Sequence, residues 1–143
     1  MGPNPSERIG LWFKKAEVLR PIHNLALGTL YHESLYSEAR FLSIVQALES
    51  YHRRMKGGTD MSDMEHEQRL AEILASTPDK HKGWLRWKLG HSNELSLEKR
   101  LQQLCGQFPK FTKYLDERSP GFIGRVVKTR HYLTHFDEKN REG

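Results

Sequence analysis

The chain has 143 residues, 36% of them hydrophobic and 29% charged, which suffices for one compact domain and is too short for two ordinary ones. No apolar run approaches the roughly 18 residues that cross a bilayer, and the start lacks a signal-peptide pattern, so we expect a soluble, cytoplasmic protein. The single cysteine, Cys105, excludes an internal disulfide, and the net charge of +5 is compatible with an anionic partner without requiring one.

The first half of the chain carries apolar residues at helical spacing, which predicts an all-α fold. A first helix is predicted from about Ser6, as a possible N-cap, to the residue before Pro21, and an irregular helical piece is predicted around Ile22 to Leu30. The longest helix is predicted over about Glu33 to Met55, because no breaker interrupts it before Gly57 and Gly58.

The second half predicts four further helices, which gives a bundle of about six or seven. Ser62 or Asp63 caps one, Thr77-Pro78 ends it and begins the next, and Ser96 begins another that breaks near Pro109. Ser119 followed by Pro120 predicts the start of the final helix, with a capping hydroxyl and then a proline at the first helical position. The charged residues 138–143 are predicted to be a frayed tail of a single domain spanning 1–143.

Beside the apolar stripe of the final helix lies a cluster of donors and titratable groups: Arg130, His131, Thr134 and His135. Arginine can brace two phosphate oxygens with its planar fork, and histidine can take or give a proton near neutral pH. RNA supplies its own nucleophile, the 2′-hydroxyl, so such a site needs neither a metal nor a cofactor. The expected products would be a cyclic phosphate and a 5′-hydroxyl end.

The Arg-x4-His spacing alone does not establish this chemistry, because a solvated basic helix face is the simpler explanation of the same spacing. The same spacing joins Arg86 to His91, but Gly90 and the residues after it predict that His91 lies beyond a helix end. Trp84 and Trp87 are predicted to be core or dimer contacts, with base stacking as the alternative. The histidines show no metal-ligand pattern, so no metal site is predicted.

Two segments resemble known helices of HEPN domains. Thr129 to Asp137, TRHYLTHFD, resembles the catalytic helix, whose motif is Arg, a polar residue, three variable residues and His. Arg40 to Arg54, RFLSIVQALESYHRR, resembles the long helix of the Apea-like branch. The resemblance extends from about Trp12 to Asp137.

This resemblance implies a helical bundle, homodimerisation, and metal-independent RNA cleavage in a composite cleft where two Arg-x4-His motifs meet, in bacterial anti-phage defence. It implies that Arg130 braces the phosphate, that His135 is the acid or base, and that His131 fills the polar position, where Asn is commoner. The alternative is a non-catalytic HEPN module that binds RNA or nucleotide, or that serves dimerisation and regulation.

Three residues of the long helix are candidate supporting groups: Glu49, His52 and Arg53. They could approach the Arg130 cluster, with Glu49 orienting a histidine or arginine, or they could instead form a buried ion pair between helices. Members of the Apea-like branch are usually longer, with an N-terminal region expected to sense or regulate. We therefore expect either an excised domain or a naturally short relative, and a sensor region as a partner.

Overall fold

A computed structural model describes residues 4–31 and 35–136, and these residues form seven helices. The all-α prediction is confirmed. The helices are α1 Pro5–Tyr31, α2 Ser37–Met55, α3 Asp63–Ala75, α4 Asp79–Leu89, α5 Leu97–Cys105, α6 Pro109–Arg118 and α7 Phe122–His135. The predicted frayed tail at 138–143 lies outside the described residues.

The described chain falls into two compact units. Unit 1 holds the residues up to Lys56 and those from Leu97 onward, and therefore contains α1, α2, α5, α6 and α7. Unit 2 is the segment Gly57–Ser96 and contains α3 and α4.

The core of unit 1 forms where α1 packs along α2, and where α2 and α5 meet each other and α7. Its buried apolar residues come from three of these helices: Ile22, Val45, Ala47, Leu101 and Leu104. Polar residues are buried beside them, above all His52 on α2 and Arg100 on α5. The seam between α2 and α5 is thus part apolar and part polar.

Unit 2 is held by a polar turn as much as by apolar packing. The Asn93 amide donates to Met61 O at 3.2 Å and accepts from Met61 N–H at 3.0 Å. Ser62, one of the two predicted caps, caps α3 in a reciprocal box with Glu65. Buried Leu74 and Leu95 supply the apolar part.

The predicted helix end before Pro21 is wrong, because α1 continues through Pro21 to Tyr31. A proline inside a helix removes one backbone hydrogen bond and crowds the preceding turn. Packing of α1 on α2, which buries Ile22 and Thr29 just beyond the proline, offsets that cost. As a result α1, with 27 residues, is the longest helix, and α2, with 19, is not.

The start of the long helix also differs from the prediction. The helix α2 begins at Ser37, whereas the predicted first residue, Glu33, lies outside the described residues. The predicted end at Met55 is confirmed.

The predicted start of the final helix at Ser119 and Pro120 is wrong as well. Ser119 ends α6, and its hydroxyl accepts a hydrogen bond from Arg125. The cap residue of α7 is Gly121, whose φ of 68° is in the left-handed region that favours glycine. The chain reverses there with the Gly121 N–H bonded to Asp116 Oδ1 at 3.1 Å.

Two other predictions from local signals are confirmed. Pro109 opens α6 at its first turn, and α4 ends at Leu89, so that His91 lies beyond the helix. The prediction that Trp84 and Trp87 belong to the core is wrong, because they are 62% and 73% exposed. Their role as dimer contacts stays a prediction.

Candidate functional site

A cleft of about 260 Å³ opens between α1, α2 and α7 in unit 1. One helix row of α7 forms one wall, and the polar and apolar residues of α2 form most of the other. The lining residues are Leu25, Leu42, Ser43, Val45, Gln46, Glu49, Arg130 and Thr134. The cleft therefore joins a guanidinium, a carboxylate, an amide and two hydroxyls over an apolar floor.

Arg130 and Thr134 reach this cleft because they lie one helical turn apart on the same row of α7. The apolar stripe of this helix is predicted to pack over Phe122, Val126, Thr129, Leu133 and Phe136. The first four are half-buried and turn the row of Arg130 toward α2, whereas Phe136 is 74% exposed, so the prediction is wrong for Phe136. The Thr134 hydroxyl donates to Arg130 O at 2.8 Å. That bond occupies its proton, so Thr134 offers the cleft only an acceptor.

Glu49 lies in the same cleft and is held there by Arg53. The Glu49 carboxylate accepts hydrogen bonds from Arg53 Nη2 at 3.1 Å and from Arg53 Nε at 3.3 Å, and the two residues lie one helical turn apart on α2. The Glu49 side chain is 15% exposed and that of Arg53 is 47% exposed. The carboxylate thus faces the cleft, while Arg53 orients it from the solvent side.

His131 and His135 lie on the neighbouring row of α7 and are exposed. Their ring centroids are 5.9 Å apart, with 31° between the ring planes. At about 100° per residue, His135 lies about 140° around the helix from Arg130. In one chain, then, the guanidinium enters the cleft and the two imidazoles point to solvent beside it.

His52 does not line the cleft; it is fully buried between α2 and α5. Arg100 Nη1 donates to its Nδ1 at 3.1 Å, and its Nε2 lies 2.7 Å from Gln103 Oε1. Since a guanidinium can only donate, Nδ1 is the acceptor and Nε2 carries the proton that Gln103 accepts. His52 therefore joins α2 to α5 and is part of the frame that carries the cleft.

Two cleft residues escaped the sequence analysis, Ser43 and Gln46. They precede Glu49 at steps of three residues, and Arg53 follows one turn later, so a polar row runs along α2. The spacing of this polar row could have identified Ser43 and Gln46 as site residues, because residues three and four apart share a helix face.

The second Arg-x4-His pair lines a different cavity, in unit 2. Arg86 and His91 lie with His66 around a space of about 450 Å³. His91 Nδ1 is 3.2 Å from a carboxylate oxygen of Glu94, and His66 Nε2 is 2.9 Å from the Ser92 hydroxyl. Both imidazoles are thus engaged by neighbours within unit 2.

Within the parts of the chain that the structure describes, no group of three or more His, Cys, Asp or Glu side chains could hold a metal ion. No helix among the described residues is long and apolar enough to cross a membrane.

Among the described residues, the fold is a helical bundle whose α7 carries Arg130, a polar residue and a following His135, which is consistent with a HEPN-type domain. A family model described as Apea-like HEPN matches residues 42–143, which include all of α7 and most of α2. The chain belongs to the Apea-like HEPN family. Comparison with curated proteins and with solved structures gives no match.

Proposed function

We propose that the protein is a metal-independent endoribonuclease of bacterial anti-phage defence that works as a homodimer. Family membership supports an RNase-like or nucleotide-binding module. Arg130, His131 and His135 on α7 support the catalytic form of that module, because together they match the Arg, polar residue and His of the motif that the sequence resembles.

In the proposed reaction, Arg130 braces two non-bridging oxygens of the scissile phosphate. His135 acts as the base that accepts the proton of the ribose 2′-hydroxyl, or as the acid that protonates the leaving 5′-oxygen. The bond from the 2′-oxygen to phosphorus forms while the bond from phosphorus to the 5′-oxygen breaks. The products are a 2′,3′-cyclic phosphate and a 5′-hydroxyl, with no water consumed in this step.

The observation that carries the proposal is the division of the motif between two surfaces. Arg130 lines the cleft with Glu49, whereas His131 and His135 are exposed on the neighbouring row. A phosphate held by Arg130 is therefore poorly placed for His135 of the same chain. A second copy of α7 would bring its histidines to that phosphate, which makes the dimer a requirement of the chemistry.

Glu49 and Thr134 have supporting roles in this proposal. The Glu49 carboxylate, oriented by Arg53, attracts the guanidinium of Arg130 to its side of the cleft and limits where that side chain can reach. Thr134 adds an acceptor for a ribose hydroxyl. His131 supplies a second imidazole beside His135, which can share the acid and base roles.

The test is cleavage of single-stranded RNA and of total tRNA in EDTA, with all proteins at the same oligomeric state. Arg130→Ala and His135→Ala should each lower the cleavage rate by about 100-fold or more, in the range that acid–base and phosphate-positioning groups contribute. Lys128→Ala is the matched control, since Lys128 is an exposed cation on the same helix. Cyclic-phosphate ends should appear with wild type and with the control.

Two results would contradict the proposal. Equal rates in wild type and in both motif variants would remove Arg130 and His135 from the mechanism. Salt-sensitive RNA binding without scission by a verified dimer would instead support the non-catalytic module.

A further inference from the structure

The solvent side of α4 presents two tryptophans between two lysines. Lys80, Trp84 and Lys88 follow one another at steps of four residues, and Trp87 lies three residues after Trp84, so all four share one face. The tryptophans are 62% and 73% exposed. We call these four residues the α4 face.

Nothing in unit 2 covers this face. No residue of α4 is buried, and the apolar residues that point inward, Leu85 and Leu89, are half-buried on the opposite side, where α4 packs on α3. Gly83 lies on the exposed side next to Trp87, and a Cβ there would meet no atom within 4 Å. Both indoles can therefore be approached from solvent.

The positive charge of unit 2 is concentrated on this helix. Four basic residues and one acidic residue occur in α4: Lys80, Lys82, Arg86, Lys88 and Asp79. The acidic one pairs with Lys82 at 2.8 Å and leaves the other three cations of the helix without it. By contrast, α3 carries four acidic residues and one basic residue. A surface that combines indoles with this local charge suits a polyanion with aromatic groups.

Lys88 already shows the geometry that such a ligand would use. Its ammonium lies 4.9 Å from the centroid of the Trp87 ring. The cation and the indole are thus adjacent, so a base stacked on Trp87 would bring its phosphate within reach of Lys88.

We infer that the α4 face binds single-stranded RNA, with bases stacked on Trp84 and Trp87 and phosphates held by Lys80 and Lys88. The identity of the polyanion as RNA rests on the proposed function. The surface belongs to unit 2, whereas the cleavage motif belongs to unit 1, so this is a second contact for the substrate and not part of the catalytic cleft.

Two other occupants suit the face less well. A second copy docked symmetrically would set the same lysines against one another, and like charges at close range are unfavourable. A membrane surface needs a broad apolar stripe, whereas α4 is 11 residues long and exposes only two large apolar side chains.

The test is fluorescence anisotropy of a labelled single-stranded oligonucleotide whose ribose 2′-hydroxyls are all methylated. Such an oligonucleotide lacks the nucleophile of the proposed reaction and stays intact. The full chain is compared with the double variant Trp84→Ala/Trp87→Ala. Trp12→Ala is the matched control, because Trp12 is also 62% exposed but lies on α1.

The double tryptophan variant should bind at least about tenfold more weakly, since stacking on each aromatic side chain contributes separately. Trp12→Ala should change the dissociation constant by less than about twofold. Lys80→Ala/Lys88→Ala should reduce the slope of log affinity against log salt by about 1.4, the value for two lost phosphate contacts on a single strand. Replacement of both tryptophans by phenylalanine should restore most of the affinity, because a phenyl ring still stacks.

Binding by Trp84→Ala/Trp87→Ala that equals wild type would overturn the inference. So would loss of dimers in that variant by sedimentation, which would assign the face to self-association. Binding of wild type to phosphatidylserine vesicles but not to the oligonucleotide would overturn it in favour of a lipid surface. A separate cleavage assay of wild type on unmodified RNA distinguishes the two proposals. Tryptophan-dependent binding of the methylated oligonucleotide, with no cleavage of unmodified RNA by wild type, would contradict the endoribonuclease and leave the RNA surface standing.

Discussion

Replacement of His52 by alanine is expected to destabilise the protein strongly, although His52 lies outside the candidate cleft. The imidazole is 0% exposed and joins α2 to α5 through Arg100 and Gln103. Its removal leaves a hole in the seam between the two helices. It also takes the acceptor away from a guanidinium that is only 2% exposed.

The magnitude follows from these two losses. A buried donor deprived of its partner costs about 1–3 kcal/mol, and a charged one lies toward the upper end. Arg100 makes other interactions as well, which moderates this share. Loss of the packed ring adds roughly 1–2 kcal/mol for the cavity. We therefore expect His52→Ala to lower the free energy of unfolding by about 3 kcal/mol.

Gln103→Ala is the matched comparison, because it breaks the other hydrogen bond of the same imidazole. Gln103 is exposed, so water can replace its carbonyl oxygen, and the cost should stay below about 1 kcal/mol. Urea denaturation followed by the helical circular dichroism signal measures both variants. Equal losses in the two, or a loss below about 1 kcal/mol for His52→Ala, would refute the assignment of His52 to the frame between α2 and α5.

Three further predictions concern the helix ends and the proline. Pro21→Ala should raise the free energy of unfolding by about 1–3 kcal/mol in thermal denaturation, because it restores a hydrogen bond inside α1; no change would mean that the helix stops before this residue. Gly121→Ala, at a φ of 68°, should lower the free energy of unfolding by about 1 kcal/mol. Gly124→Ala, within α7 and in open space, should raise the free energy of unfolding by about 0.5 kcal/mol. Effects of the same sign in the two variants would contradict this prediction. Ser62→Ala should cost about 1 kcal/mol at neutral pH. The hydrogen bonds from Ser62 lower the pKa of Glu65 below its ordinary 4.5. The stabilisation that ionised Glu65 contributes is therefore present above pH 4.5 and is lost as the pH falls through the lowered pKa. In denaturation at about pH 3, the difference in the free energy of unfolding between Ser62→Ala and wild type should shrink and should not grow.

The sequence predicted the helices wherever the signal is local. Ser62, one of the two predicted caps, opens α3, and Pro109 lies in the first turn of α6, as local preferences alone predict. The predictions at Pro21 and Ser119 are wrong for different reasons, since packing opposes the local preference at Pro21 and a second local signal opposes it at Ser119. The contact of α1 with α2 carries the helix through Pro21, and the left-handed backbone of Gly121 moves the start of α7 past Ser119.

The candidate site was predictable to the level of helix faces and no further. The four-residue step between Arg130 and Thr134 places them on one row of α7, and the structure brings that row to the cleft with Glu49. Glu49 and His52 are three residues apart, so spacing alone makes them neighbours. Only the docking of α5 turns His52 into the seam, and a contact between distant segments leaves no periodic trace in the sequence. The catalytic roles of Arg130, His131 and His135 stay predictions.

A mixing experiment tests how the motif is divided between chains. Arg130→Ala and His135→Ala are each inactive in the proposal, but they lack different residues. If the arginine of one chain works with the histidine of its partner, a mixed dimer keeps one complete site of two. Random exchange makes about half of the dimers mixed, so the mixture should recover about one quarter of wild-type cleavage.

The alternative arrangement predicts no recovery of cleavage. If each site uses Arg130 and His135 of the same chain, every site in the mixed dimer is incomplete. Cleavage would then stay at the level of the single variants. A mixture of His135→Ala with the double variant Arg130→Ala/His135→Ala is the control, since neither arrangement can complete a site in it. The angle of about 140° between Arg130 and His135 on α7 predicts recovery, because one helix cannot turn both side chains toward the same phosphate. Absence of recovery in a preparation shown to exchange subunits would mean that the histidine row reaches the cleft of its own chain.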